Sequence, residues 1–316
     1  MELEDCERMM MVMDSCLSCI NWRLQYRSKR RLLTDILCLC TGLRPVVLVD
    51  YGGLMPKLQE DLCLLLRLAQ EKSAILQPLR VIVLEDMAYI VHVKEFAEHI
   101  SSSLASQQQL VLLDLERSPP ELLLHAVENE NASELRQVQK SFSSVFPVEV
   151  DAGVLPIVPG PMVKPVIGSS KREAADLACS SKHTAFQTSL ALDLSYITED
   201  AKITLSSVNG WLLGYPITYL FSKEHGEKAM RNLSFKSIYH YKLFASRKGT
   251  LGPKLQEDEV LSFTVPCDVA KRREEEPWIE AFLARMEGKL KRCNQVWISM
   301  RLEVKFLESN SQVIVV

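Results

Sequence analysis

Asp50, Asp86 and Asp114 each close a short apolar run: Val46-Val47-Leu48-Val49-Asp50, Val81-Ile82-Val83-Leu84-Glu85-Asp86 and Leu110-Val111-Leu112-Leu113-Asp114. Runs of this length with β-branched content read as buried strands. Carboxylates at the ends of neighbouring strands could converge on Mg²⁺, which prefers carboxylate oxygens and water, and so orient phosphate oxygens for hydrolysis or transfer. An Asp after a strand also commonly caps the next helix or closes a turn, and no Lys, Thr or base stands at a diagnostic offset. Tyr51-Gly52-Gly53 follows the first run and could place backbone N–H groups around a phosphate. It lacks the G-x-G-x-x-G pattern, and Lys57 is not followed by Ser or Thr as a P-loop lysine must be. A plain strand-to-helix turn that uses glycine for positive φ is the competing reading.

Cys16, Cys19, Cys38 and Cys40 form the only metal-like spacing, yet Cys38 and Cys40 fall about 200° apart on an ideal helix, which opposes joint ligation. Burial as small core residues is the expectation, and no metal site is assigned. His92, His99, His225 and His240 belong to no H-E-x-x-H pattern, and G-x-S-x-G and kinase signatures are absent. Trp211, Tyr215 and Tyr219 flank a Gly-Pro turn and could line a pocket, Tyr215 above all; the competing reading is core.

The elements that must position these residues alternate. Leu33, Ile36, Leu37 and Cys40 make one helical stripe, with Gly42 as its C-terminal cap and Pro45 closing the exit. Leu58, Leu62, Leu65, Leu66 and Ala69 give a second helix, and Phe96, Ala97, Ile100 and Leu104 a third. Met87–Val91 either extends the second strand or folds back as its hairpin partner. Strand–helix alternation predicts a helix-covered parallel sheet in the N-terminal half. Beyond a run of Pro147, Pro156, Pro159, Pro161 and Pro165, the strands alternate one-sidedly, as in Phe235–Leu243, Val260–Val265 and Val296–Phe306. A helix from Pro277 carries Ile279, Phe282, Leu283, Met286 and Leu290, and Ser309-Asn310-Ser311 should turn the chain into a strand Val313–Val316. The expected class is α/β: the parallel half at 1–146, a Pro/Gly-rich loop or linker at 147–175, and an antiparallel half with one helix at 176–316. The two sheets are free to join as one mixed sheet.

The chain has 316 residues, 47% apolar and 24% charged, with a formal charge of −3. That balance excludes a general nucleic-acid binder, which would carry a basic surplus. The acidic start Met1-Glu2-Leu3-Glu4-Asp5 is unlike a secretory signal, and no run nears the roughly 18 apolar residues of a membrane helix. Nine cysteines, an odd number without framework spacing, suit reduced thiols. The expectation is a soluble intracellular protein, cytoplasmic or nuclear, with no membrane and no nucleic-acid partner.

Two stretches, Gly42-Leu43-Arg44-Pro45-Val46-Val47-Leu48-Val49-Asp50 and Asn209-Gly210-Trp211-Leu212-Leu213-Gly214-Tyr215-Pro216-Ile217-Thr218-Tyr219, carry a resemblance. The chain resembles an uncharacterised vertebrate protein family named after an open reading frame on human chromosome 1 (uncharacterised protein family 0739), over about residues 30–316. The resemblance implies no activity, cofactor or catalytic residue. Two functions therefore compete. The first is a non-catalytic protein acting through protein contacts, with no cofactor. The second is a metal-assisted phosphohydrolase or nucleotide-binding enzyme, with Mg²⁺ on Asp50, Asp86 and Asp114 and Tyr51, Gly52, Gly53 and Tyr215 at the ligand.

Overall fold

In chain order the elements of the computed structural model are α1 (Leu3–Cys19), α2 (Tyr26–Cys40), β1 (Val46–Val49), α3 (Lys57–Lys72), β2 (Leu79–Leu84), β3 (Met87–His92), α4 (Val93–Ala105), β4 (Val111–Asp114), β5 (Glu121–Leu123), α5 (Glu130–Val145), β6 (Ala191–Asp193), α6 (Tyr196–Glu199), α7 (Leu205–Leu212), β7 (Ile217–Leu220), α8 (Gly226–Ser234), β8 (Ile238–Arg247), β9 (Gln256–Pro266), α9 (Pro277–Arg292) and β10 (Trp297–Leu307). The structure describes residues 2–105, 110–123, 129–148, 189–247, 256–270 and 276–308. The expected proline-rich excursion from residue 149 onward and the expected strand Val313–Val316 with its turn lie outside the described residues.

The architecture is mixed α/β, with three sheets among the described residues. The first has the order β1-β3-β2-β6. Glu85 and Asp86 turn β2 straight back into β3, with Glu85 at φ 54°. A two-residue turn needs no crossover, so β3 takes the edge of β2 that a parallel neighbour would have filled. β1 then pairs antiparallel with β3, while β6 runs parallel to β2. The apolar run ending at Asp114 goes elsewhere: β4 lies in a second sheet, order β5-β4-β7, parallel to β7. The three acid-terminated runs are therefore strands, but not neighbours in one parallel sheet. The third sheet, β10-β8-β9, is antiparallel throughout, as its one-sided alternation requires.

The first sheet is buried on both faces. Val47, Val49, Val81, Ala88 and Ile90 point into a core shared with α1, α2, α3, the third sheet and α9. Val46, Ile82, Leu84, Tyr89 and Val91 point into a second core with α4, α5 and α7. α9 starts with Pro277 in its first turn and buries Trp278, Ile279, Phe282 and Met286, which leaves a polar face over the join between the two cores. Tyr215 packs against both cores.

Two helix-to-strand turns are built alike. After α2, Gly42 takes φ 71° and its N–H bonds the Leu39 carbonyl at 3.1 Å, before Leu43-Arg44-Pro45 leads into β1. After α7, Gly214 takes φ 74°, and the N–H groups of Gly214 and Tyr215 bond the carbonyls of Trp211 and Gly210 at 2.9 and 3.0 Å. That is the pattern of a Schellman cap, and Pro216 then stops any return to helix.

Candidate functional site

The strand-end acids do not converge. Asp50 is half-exposed and lies 3.3 Å from Arg31 Nη1. Asp86 sits exposed in the β2–β3 turn. Asp114 is buried at the end of β4, where its Oδ1 accepts the Glu116 N–H at 2.9 Å and its Oδ2 lies 3.5 Å from Arg117 Nε. The last is a turn made by a side chain on its own backbone, the structural alternative to a ligand role. Among the described residues no three His, Cys, Asp or Glu side chains gather as a metal-holding group, which also leaves the cysteines as separate thiols. Gly52 and Gly53 adopt φ 90° and 148° in a turn held by Trp22, whose indole N–H donates to the Gly52 carbonyl at 2.6 Å. Tyr51 donates its hydroxyl to Asp35 Oδ2 at 2.9 Å. The Tyr51-Gly52-Gly53 run is thus tied into the packing of α2, not opened around a ligand.

A polar cavity of about 550 Å³ lies beyond the carboxyl ends of β4 and β7, lined by Asp114, Glu116, Lys202, Ser222 and His225 among others. His225 Nδ1 lies 2.9 Å from Ser222 Oγ and 3.0 Å from Glu116 Oε2. In a nucleophilic relay the hydroxyl and the acid use opposite ring nitrogens. Here both use one, and Glu116 also accepts from the Ser222 N–H at 2.7 Å and from Asn131 at 2.9 Å. This cluster braces the strand ends and has no relay geometry.

The cavity with a concentrated chemical bias lies where the two glycine-capped turns meet. It encloses about 370 Å³ between Leu43-Arg44-Pro45, α4, the Trp211–Tyr215 turn and the polar face of α9. Four cations line it: Arg44, Arg285, Lys289 and Arg292. Against them stand Glu95 and Glu98 of α4. Only Arg292 approaches one, at 4.0 Å from Glu95 Oε2. Arg285 donates to the Gly214 carbonyl at 3.2 Å, and Lys289 donates to the Leu43 carbonyl at 3.3 Å. Those two bonds satisfy helix-end carbonyls, yet each uses a single donor and leaves the others of both groups on the cavity wall. Arg44 has a mostly buried side chain; its Nη1 donates to the Val260 carbonyl at 3.3 Å, and its buried Nε has no partner. Burial, with the neighbouring Arg285 next, pushes the Lys289 ammonium down to about 8. Burial likewise raises the Glu95 carboxyl above its ordinary value. Arg285 and Lys289 are held largely away from water with no carboxylate in ion-pair reach, an arrangement that costs free energy until an anion completes it, while Arg44 stands 3.7 Å from Asp35 and Arg292 4.0 Å from Glu95.

In the same cavity His99 and Ser103 do not form a nucleophile–base pair. His99 Nε2 lies 3.0 Å from the Trp211 carbonyl, which can only accept, so Nε2 carries the hydrogen. Burial pushes this imidazole down to about 4, so it is neutral near pH 7. Ser103 donates to the His99 carbonyl at 2.7 Å and accepts from the Trp211 indole at 3.0 Å. Both side chains hold α4 against α7.

A family model described as "Domain of unknown function (DUF4504)" matches residues 14–314. The chain belongs to this family. No curated protein and no solved structure matches the chain. The match begins inside α1, earlier than the resemblance in sequence implied, and no activity comes with it. Both stretches that carried that resemblance, around Arg44 and around Tyr215, are walls of the cationic cavity. Sequence reasoning found Tyr215 and missed Arg285, Lys289 and Arg292. Their signal was present as a basic stripe at spacings of four and three along α9, which reads equally as a solvated helix end.

Proposed function

We propose that the protein is a non-catalytic binding protein whose ligand carries a phosphate, sulfate or carboxylate group, held in the cleft between the Gly42–Pro45 turn, α4, the Trp211–Tyr215 turn and α9. The observation that carries this reading is the set of four cations around one cavity, with Arg285 and Lys289 in no ion pair among the described residues. A volume of about 370 Å³ falls within the range of small-molecule sites. The engagement of His99 and Ser103 by α7 supports binding over catalysis. The dispersal of Asp50, Asp86 and Asp114 gives the metal-assisted reading no comparable support. No helix among the described residues is long and apolar enough to cross a membrane.

Thermal unfolding in sulfate and in phosphate tests the reading, because a ligand that binds only the folded state raises its stability. Such anions also stabilise folded proteins by exclusion from their surface, so the measured quantity is the difference between wild type and Arg285→Gln/Lys289→Gln. Wild type should rise steeply at low millimolar anion while the double variant follows only the shallow general salt slope. Identical curves for the two proteins would end the proposal.

A further inference from the structure

A second cavity, of about 540 Å³, adjoins the first and shares Arg44, Leu213, Tyr215 and Leu261 with it. Its chemistry is different. The charges that line it are largely spent on one another or on neighbouring strands: Arg30 on Asp258 at 2.9 Å, Arg31 on Asp50 at 3.3 Å, Glu257 on Arg301 at 2.6 Å and Glu259 on Lys242 at 2.8 Å. Asp35 is buried there beside Arg44 at 3.7 Å and takes the Tyr51 hydroxyl, and burial raises its carboxyl above the ordinary range. What remains unengaged is Arg27 and a set of neutral groups. The hydroxyls of Thr34, Tyr215 and Ser262 line the cavity, and none hydrogen-bonds to another described residue. Hydroxyls that both donate and accept, set among charges that are mostly paired, suit a partner that is itself hydroxylated.

We infer that the ligand is a phosphorylated polyol, a sugar phosphate in chemical class, with its phosphate on Arg285, Lys289, Arg292 and Arg44 and its hydroxyl-bearing body against Thr34, Tyr215 and Ser262. This rests on the anion-binding reading above and goes further by fixing what the anion is attached to. Arg44 and Tyr215 are the hinge of the assignment, since both line the two cavities. Arg44 contributes guanidinium to the phosphate side while standing 3.7 Å from Asp35 on the other. Trp211 is buried, with the His99 ring stacked on it at 5.8 Å and Phe142 edge-on at 5.5 Å, so the indole offers no open face for a nucleobase.

Titration calorimetry on the full chain tests this with three probes: inorganic phosphate, ribose 5-phosphate or glucitol 6-phosphate, and the unphosphorylated sugars. The expected result is a sugar phosphate that binds about tenfold tighter than inorganic phosphate, with no binding of the neutral sugars at the same concentration. Thr34→Ala and Ser262→Ala, which remove one hydroxyl each from the second cavity alone, should weaken the sugar phosphate several-fold and leave inorganic phosphate unchanged. Phosphate binding intact with no sugar phosphate binding tighter would overturn the assignment and spare the anion site. Unchanged sugar phosphate affinity in both hydroxyl variants would overturn it in the same way. Failure of inorganic phosphate and every sugar phosphate to bind would remove the anion site and the assignment together.

Discussion

Lys289 sets the pH behaviour of the cleft. Its ammonium faces Arg285 and Arg292 from its own helix, Arg44 from the turn after α2, and Glu95, Glu98 and the neutral His99 from α4. With its value near 8 against an ordinary 10.5, the charged form is full below about pH 8 and lost above it. Affinity for sulfate, whose own charge is constant, should therefore fall several-fold from about pH 7 to about pH 9.5 and stay flat in Lys289→Arg. The linkage runs the other way for the empty protein. Between about 8 and 10.5 the unfolded chain keeps a proton on this lysine that the folded chain has released, so this residue's contribution to stability rises with pH. A stability difference between wild type and Lys289→Met that does not change across that window would contradict the assignment. At this scale the sequence was legible where a residue's role is local. Gly42 as a helix cap could be read from its neighbours, and Asp114 as a turn residue was one of two open readings. Lys289 could not be read, because its meaning comes from Leu43, which lies 246 residues away along the chain.

The elements that shape the cleft depend on two left-handed glycines that are not equivalent. A methyl group on Gly42 would meet Glu95 Cδ at 2.9 Å, whereas at Gly214 the nearest atom, in His99, is 4.0 Å away. Both substitutions impose the backbone cost of a side chain at positive φ, about 1 kcal/mol or more. Gly42→Ala must also displace a half-buried carboxylate. In urea unfolding Gly42→Ala should lose about 2 kcal/mol or more and Gly214→Ala about 1 kcal/mol. Equal losses would show that the carboxylate moves freely. The helices α2, α3, α4 and α9 were legible from their apolar spacing, α9 down to its start at Pro277, whereas α1, α7 and α8 were not. Strand order was not, because periodicity identifies a strand and says nothing of its neighbour. Met87–Val91 was open to extension or return, and the return placed β3 between β1 and β2.

Across the whole molecule, one core joins α1, α2 and α3 to the third sheet and α9. Trp297, fully buried at the start of β10, fixes that join by donating its indole N–H to Thr41 Oγ1 at 3.1 Å. Trp297→Ala should cost about 3–5 kcal/mol, from lost burial and an orphaned contact at the end of α2. Circular dichroism and tryptophan fluorescence should report one coincident transition in wild type, and separated transitions would show that the two halves unfold independently. The class of the molecule could be read from its alternating patterns, whereas a cleft assembled from four distant segments left only the ambiguous basic stripe of α9 as a local trace. Those segments also emerge from the ribosome in order, beginning near residue 42 and ending with α9. Lys289 and Arg292 are therefore among the last parts of the cleft to be synthesised. A ligand that needs them can associate only with a chain that has been translated past α9, and its first encounter with the protein marks that moment.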